Sequence, residues 1–186
     1  MNKQISEEKI EKATQLLLEG LGEDLKRAGL KDTPKRVAKA WAEWCRGYSE
    51  LDRPLVTFES GYSEMVIRKE IPFTSFCEHH LAMYQGTVDL AYIPNGQVVG
   101  LSKIIRFVQH SAARLTIQEN LTNDILSRFC QIVKPRGFIV KITALHTCEG
   151  TRGAKVPNVP TITIASQGVF QQKPELINQF NDLIRN

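Results

Sequence analysis

Positions 77–80 read Cys-Glu-His-His, within the stretch FCEHHL. The 186-residue chain has only four cysteines and four histidines, so half of its imidazoles and a quarter of its thiols lie within or beside this tetrapeptide. Cys77 and His80 are three residues apart, a spacing that one tight turn can bring onto a single ion. A second pair, His146 and Cys148, lies in FIVKITALHTC, which reads as a strand. Side chains two apart on a strand point the same way, so this pair is expected on one face. If that face looks toward the CEHH loop, Cys77, His80 and Cys148 converge as two thiolates and one imidazole, a soft, zinc-like set. Three protein ligands leave the fourth position to water, which is the arrangement of a catalytic rather than a structural site. His79 and His146 then stand beside that water as proton carriers, a task suited to imidazole near neutral pH. The bland alternative is a thiol buried as a small hydrophobe. The second His/Cys pair is what favours the metal. Cys45 and Cys130 sit on apolar helical stripes and read as core, and His110 as a surface or packing residue.

A second constellation lies in VVGLSKIIRFV. Gly100 can turn the chain, Ser102 can cap a helix, and the free N–H groups at such an end attract anions. Lys103 in the first turn and Arg106 one turn later can both reach a phosphate. Arg152, in CEGTRG, adds a third cation close to the second His/Cys pair. For this stretch alone, a capped helix with solvated basic residues is the better explanation of the pattern. Glu119, in TIQENLT, stands near a helix start, where a carboxylate is favoured by the dipole alone.

The elements that must position these residues follow from periodicity. The first 47 residues read as helical; in DTPKRVAKAWAEWCRG, Thr33 serves as cap, Pro34 as first helical residue and Gly47 as the end. Val37, Trp41, Trp44 and Cys45 form its apolar stripe. From about residue 64 the period changes to two: EMVIRKEIPF and TVDLAYIP read as strands, with Val88, Leu90 and Tyr92 alternating against Thr87, Asp89 and Ala91. IPNGQVVG is a tight turn that returns along a neighbouring strand. Two helices follow, one with Ile105, Val108, Ala112 and Leu115 on a face, the other with Leu121, Ile125, Phe129 and Ile132. After the KPRG break, FIVKITALHTC pairs with VPTITIASQGVF as a hairpin, and KPELINQFNDLIRN ends the chain as an amphipathic helix. Helices and antiparallel hairpins in separate blocks make an α+β fold.

Composition sets the outer bounds. The length suits a single domain over 1–186, a helical region over 1–50 preceding a core over 51–186, without repeats or a flexible linker. No apolar run spans a membrane and the polar start MNKQISEEKIEK is no leader, so a cytoplasmic protein is expected. A net charge of +4 suits an anionic small molecule. The scattered basic residues lack the stripe and interleaved aromatics of a nucleic-acid binder.

CEHH, YIPNGQVVGLSKIIRFVQ, RLTIQENLT and HTCEGTRG, in this order and spacing, resemble zinc-dependent GTP cyclohydrolase I, and the likeness runs from GLKDTPKRVAKAW to TITIASQGVF. The resemblance implies a tunnelling fold: an antiparallel sheet with two helices on one face, preceded by a helical N-terminal region. It implies a homodecamer of two stacked pentamers with active sites at subunit boundaries. It also implies conversion of GTP and water to formate and 7,8-dihydroneopterin triphosphate. Carried onto this chain, Cys77, His80 and Cys148 resemble the Zn(2+) ligands and His79 and His146 the proton-transfer pair. Ser102 resembles a proton relay near the sugar. Lys103, Arg106 and Arg152 resemble the triphosphate and ribose contacts, and Glu119 the guanine reader. The chain departs from the family pattern at Asn120, where arginine is usual, at Glu149 beside a ligand, and in the proline-bearing stretch AKVPNVPTITIASQG. The alternative is a non-catalytic or altered-substrate protein of the same fold with a structural zinc.

Overall fold

The computed structural model describes residues 5–49 and 55–185. They belong to two compact units, Met1–Glu50 and Leu51–Asn186.

The first unit holds helices α1 (Glu7–Gly20) and α2 (Thr33–Trp44) and a 3-10 turn, Arg46–Tyr48. In α1 the Ser6 hydroxyl accepts from the Lys9 N–H, and Glu7 and Glu8 lie in the first turn, where carboxylates complement the dipole. In α2 the cap position falls to Asp32 rather than to the expected Thr33, whose hydroxyl instead donates back to the Gly29 carbonyl at 3.2 Å. The helix ends at Trp44, before Gly47, which lies in the 3-10 turn. Within the expected stripe Cys45 is buried, whereas Trp44 is exposed and meets Trp41 edge to face at 5.6 Å.

The second unit is built on two long strands, β2 (Val66–Cys77) and β3 (Met83–Ile93), which follow a short β1 (Thr57–Glu59). Next come β4 (Gln97–Val99), α3 (Leu101–Ala112), β5 (Leu115–Thr116), α4 (Gln118–Val133) and β6 (Gly137–His146). A short α5 (Thr147–Gly150), β7 (Thr161–Gly168), a short α6 (Val169–Gln172) and α7 (Pro174–Arg185) complete it. The main sheet runs β5-β2-β3-β6-β7, all neighbours antiparallel except the two-residue β5, which lies parallel to β2. This is the α+β architecture expected. After the IPNGQVVG turn the neighbouring strand is β1, which the chain joins in a separate two-stranded ribbon. The Tyr92 hydroxyl accepts from the Val99 N–H at 2.9 Å, tying that ribbon to the sheet's end.

Alternation on β3 and β6 sends Val88, Leu90, Tyr92, Phe138, Val140 and Ile142 to one face, where α3 and α4 cover them. The Phe129 ring of α4 stacks on Phe138, centroids 4.2 Å apart. The apolar faces of both helices differ from expectation only at their edges. Ile104 and Phe107, rather than Ile105, are fully buried on α3; Val133 replaces Ile132 on α4, and Leu115 belongs to β5. On the opposite face, Ala91, Ile93 and Ile139 lie under Phe170 and Phe180 from α6 and α7, so the β3 pattern is apolar on both sides at this end. Asp89 interrupts that pattern for a structural reason. Its carboxylate accepts the Glu70 N–H at 2.8 Å, at a bulge where Glu70 has φ 56°, and stands 4.0 Å from Lys141.

Gly86 leaves no room for a side chain between β3 and β6. It lies opposite Ala144, and a Cβ there would run into the Thr143 carbonyl and the Ala144 backbone. Gly86→Ala is therefore expected to destabilise the protein by about 1–3 kcal/mol through overpacking. A denaturant midpoint indistinguishable from wild type in equilibrium unfolding would show that β6 yields at no cost.

Candidate metal centre

β2 ends at Cys77, and the next five residues make a tight loop back into β3. The Cys77 N–H donates to the Ala82 carbonyl at 2.8 Å and the Leu81 N–H to the Cys77 carbonyl at 2.9 Å. Leu81 takes a left-handed backbone, φ 54°, to allow it. The loop turns His80 so that its Nδ1 lies 3.8 Å from the Cys77 sulfur. Cys148 arrives from the other side. β6 stops at His146, and the chain turns at once into α5, whose first residue, Thr147, donates its hydroxyl to the Met83 carbonyl. His146 and Cys148 are thus not alternate residues of one strand, as the sequence suggested; a strand end and a helical turn bring them together. One donor atom from each of Cys77, His80 and Cys148 lies within 4.8 Å of the other two.

This donor set fits a metal ion. Burial pushes the Cys148 thiol up, and a hydrogen bond with Cys77 and that residue's negative charge add to the effect. A thiol raised in this way holds its proton until a cation reverses the balance; a coordinating thiol is deprotonated outright. Arg152 adds a constraint, since its guanidinium lies 3.1 Å from His80 Nε2. A guanidinium only donates, so that contact puts the imidazole proton on Nδ1. A metal at Nδ1 has to move the proton to Nε2 and Arg152 away from it.

Beside the three donors is a cavity of about 320 Å³, lined by Cys77, His79, Gln118, Glu119, His146 and Cys148 among others. His79 is exposed at its mouth and Glu119 stands in the first turn of α4. The His146 ring lies flat on the buried Tyr84 ring, centroids 4.6 Å apart and planes 12° from parallel. Burial lowers the His146 pKa, against the opposing pull of Glu119 and Glu149. Burial also raises the Tyr84 phenol to about 12, so it stays neutral beneath the imidazole.

Of the expected residues, Cys77, His79, His80, Glu119, His146, Cys148 and Arg152 therefore assemble at one end of the sheet. Ser102, Lys103 and Arg106 do not join them within this chain. They occupy the first turns of α3, which starts at Gly100 as cap rather than at Ser102. The far end of that helix leads to β5, which pairs with β2 at Phe76 and Cys77. At 1.5 Å per residue, the helix carries Ser102 roughly 15 Å from the end nearest the thiols. Gln118 went unnoticed in the sequence. It is 1 % exposed, and its amide bonds His146 Nε2 at 2.9 Å. The available signal was its place at the head of the apolar stripe Gln118, Leu121, Ile125, a polar residue where the period calls for an apolar one.

A family model described as GTP cyclohydrolase I matches residues 10–185. GTP cyclohydrolase 1 of Streptococcus thermophilus is 41% identical over 97% of this chain and 98% of its own. The Aquifex aeolicus protein of the same name is 42% identical over 97% and 98%. Among solved structures, the apo form of the archaeosine synthase QueF-Like covers 59% of this chain and 97% of its own, with a TM-score of 0.46 and 20% identity.

The donor set generates a test by metal analysis. Cys77→Ala, His80→Ala and Cys148→Ala should each lose most of about one bound metal per subunit, whereas His79→Ala and Arg152→Ala should keep it. A folded Cys148→Ala protein with a full complement of metal would remove that residue from the ligand set.

Proposed function

This chain belongs to the GTP cyclohydrolase I family, and from that premise we propose that it converts GTP and water to formate and 7,8-dihydroneopterin triphosphate at the cavity beside Cys77, His80 and Cys148. The observation that supports this reading is the meeting of three soft metal donors, two further imidazoles and a carboxylate around one opening. Cys77, His80 and Cys148 would hold Zn(2+), the ion that two thiolates and an imidazole favour over harder cations. When bound, zinc supplies Lewis acidity that brings the pKa of a water down to about 7.

The chain's own residues supply the rest. Glu119 accepts two adjacent hydrogen bonds from the guanine edge, one from the ring N–H and one from the exocyclic amine. His79 and His146 move protons at the imidazole nitrogens of the purine as that ring opens, and the depressed pKa of His146 keeps it neutral and able to accept one. The buried Tyr84 ring fixes the plane in which the His146 imidazole works. Lys103, Arg106 and Arg152 pair with the triphosphate through charge-assisted hydrogen bonds. Ser102 relays a proton on the ribose as it opens and rearranges.

Because Ser102 and Lys103 lie at the end of α3 away from the thiols, with Arg106 near its middle, a neighbouring copy completes each site. That requirement supports the decamer of two pentamers, with residues 1–186 acting as one functional domain in each subunit. No helix among the described residues is long and apolar enough to cross a membrane. A cytoplasmic location accords with that and with a nucleotide substrate.

Incubation of metal-replete protein with GTP, followed by assay of formate and of pterin fluorescence after oxidation, tests the reaction; silence in both channels overturns it. Base choice tests Glu119. ATP presents a ring acceptor where guanine has a donor, and should be rejected by roughly 10⁴-fold or more. ITP, lacking the amine, should be used poorly. Glu119→Ala should lose turnover and keep its metal; an unaltered preference for GTP in that variant would show that the carboxylate serves only the helix dipole.

The shared site is tested by mixing. His146→Ala and Lys103→Ala homo-oligomers should each be nearly inactive. Random co-assembly should restore roughly a quarter of the sites, those pairing an intact His146 with a partner's intact lysine. No recovery in proven mixed assemblies would place both residues in one subunit's site.

A further inference from the structure

Gln118 sits at the first position of α4 with its side chain directed into the interior, where four partners surround its amide. The Nε2 group lies 3.2 Å from the Ile142 carbonyl, 3.1 Å from the Thr161 carbonyl and 3.0 Å from the Thr163 hydroxyl. On its other side, Oε1 lies 2.9 Å from His146 Nε2. Carbonyl oxygens accept and never donate, so two of these partners by themselves decide which way the amide faces. The reverse orientation would set the amide oxygen against two carbonyls in a buried site, an arrangement with no compensating bond. The hydroxyls agree. Thr122 donates to the Gln118 backbone carbonyl at 2.8 Å and shares a 2.7 Å contact with Thr163. With that proton committed, Thr163 must donate to Thr122 and accept from Gln118. The network closes from the side-chain amide back onto the same residue's main chain; the amide's two hydrogens are shared among three acceptors, and its oxygen is left facing His146.

We infer that Gln118 is a positioning residue that holds His146 in a single tautomer, with the proton on Nε2 and the lone pair on Nδ1. An amide oxygen can only accept, so the imidazole nitrogen facing it has to carry hydrogen. The basic nitrogen of neutral His146 is then Nδ1, and the Tyr84 ring stacked on the imidazole keeps it from turning over. The network spans β6, β7 and α4, so the fold itself sets the proton's location. This deepens the reading of His146 as a proton carrier and rests on it for its catalytic consequence; the tautomer itself is independent of that reading.

The test uses metal-replete protein labelled with ¹⁵N-histidine and examined by magic-angle-spinning NMR, with His146→Ala identifying the signals among the four histidines. Wild type should show His146 as the Nε2–H form, and a dominant Nδ1–H signal overturns the inference without any activity measurement. Gln118→Met, similar in volume but without the acceptor, should mix the tautomers. It should also lower kcat by about 10²-fold, with KM for GTP and metal content little changed. Gln118→Glu in its protonated form can donate to a carbonyl and still accept from His146, and should recover the single tautomer and most of the turnover. Unchanged tautomer and kcat in Gln118→Met would also overturn the assignment. If His146→Ala proves fully active while wild type shows the Nε2–H form, the proton-carrier reading fails and the positioning by Gln118 stands.

Discussion

Three strand ends held level by hydrogen-bonded register are the condition for everything else in the second unit. Phe76 lies opposite Met83, and Tyr84 opposite His146, so the end of β2, the start of β3 and the end of β6 fall in one row. Slipping β6 by a single residue would turn His146 to the other face and draw Cys148 away from Cys77. The register is fixed along its length by features that tolerate no slip. Gly86 lets β6 approach, and the bulge capped by Asp89 occurs only at Glu70. A core that packs Phe129 against Phe138 admits one alternation only. The site is thus precise because strands rather than loops set its dimensions.

That row also brings together groups that disfavour each other's charged forms. The Cys148 thiol is pushed up by burial and by Cys77, His146 is pushed down by burial, and the Tyr84 phenol is raised beyond use. Burial thus favours a protonated Cys148 thiol and a neutral His146 imidazole. A divalent ion at the three donors would invert the Cys148 thiol's preference.

Much of this was legible in the sequence, for identifiable reasons. The ligand trio and both further histidines could be picked out because Cys and His are scarce and were clustered. The elements followed because periods of two and of 3.6 separate cleanly between the N-terminal helices and the sheet. What the sequence misled on was local. Cys148 was expected on a strand face beside His146, and it reaches the same place from a helical turn, because strand periodicity does not reveal where a strand stops. The helix faces hold at Val108, Ala112, Leu121, Ile125 and Phe129 and differ only at their edges, where Ile104 and Ile105, or Ile132 and Val133, are equally apolar to a pattern. The Asn-Gly turn predicts a return along a neighbouring strand without saying which; β4 finds that partner in β1, a long-range choice no local signal carries. Gln118 escaped because a polar residue next to a helix start reads as a capping or solvent-facing group; its importance comes from strands 24 to 45 residues away.

The division of the expected site along α3 follows from the same architecture. A helix that must span the sheet to bury Ile104, Phe107 and Val108 necessarily separates its two ends. Its last turn delivers the chain to β5 beside Cys77, and its first turn carries Ser102 and Lys103 to the opposite end, with Arg106 one turn further in. Arg152 is the cation of the expected set that does stand at the thiol end. Burial of the helix thus divides the expected residues within the monomer into two groups, one toward each end of α3.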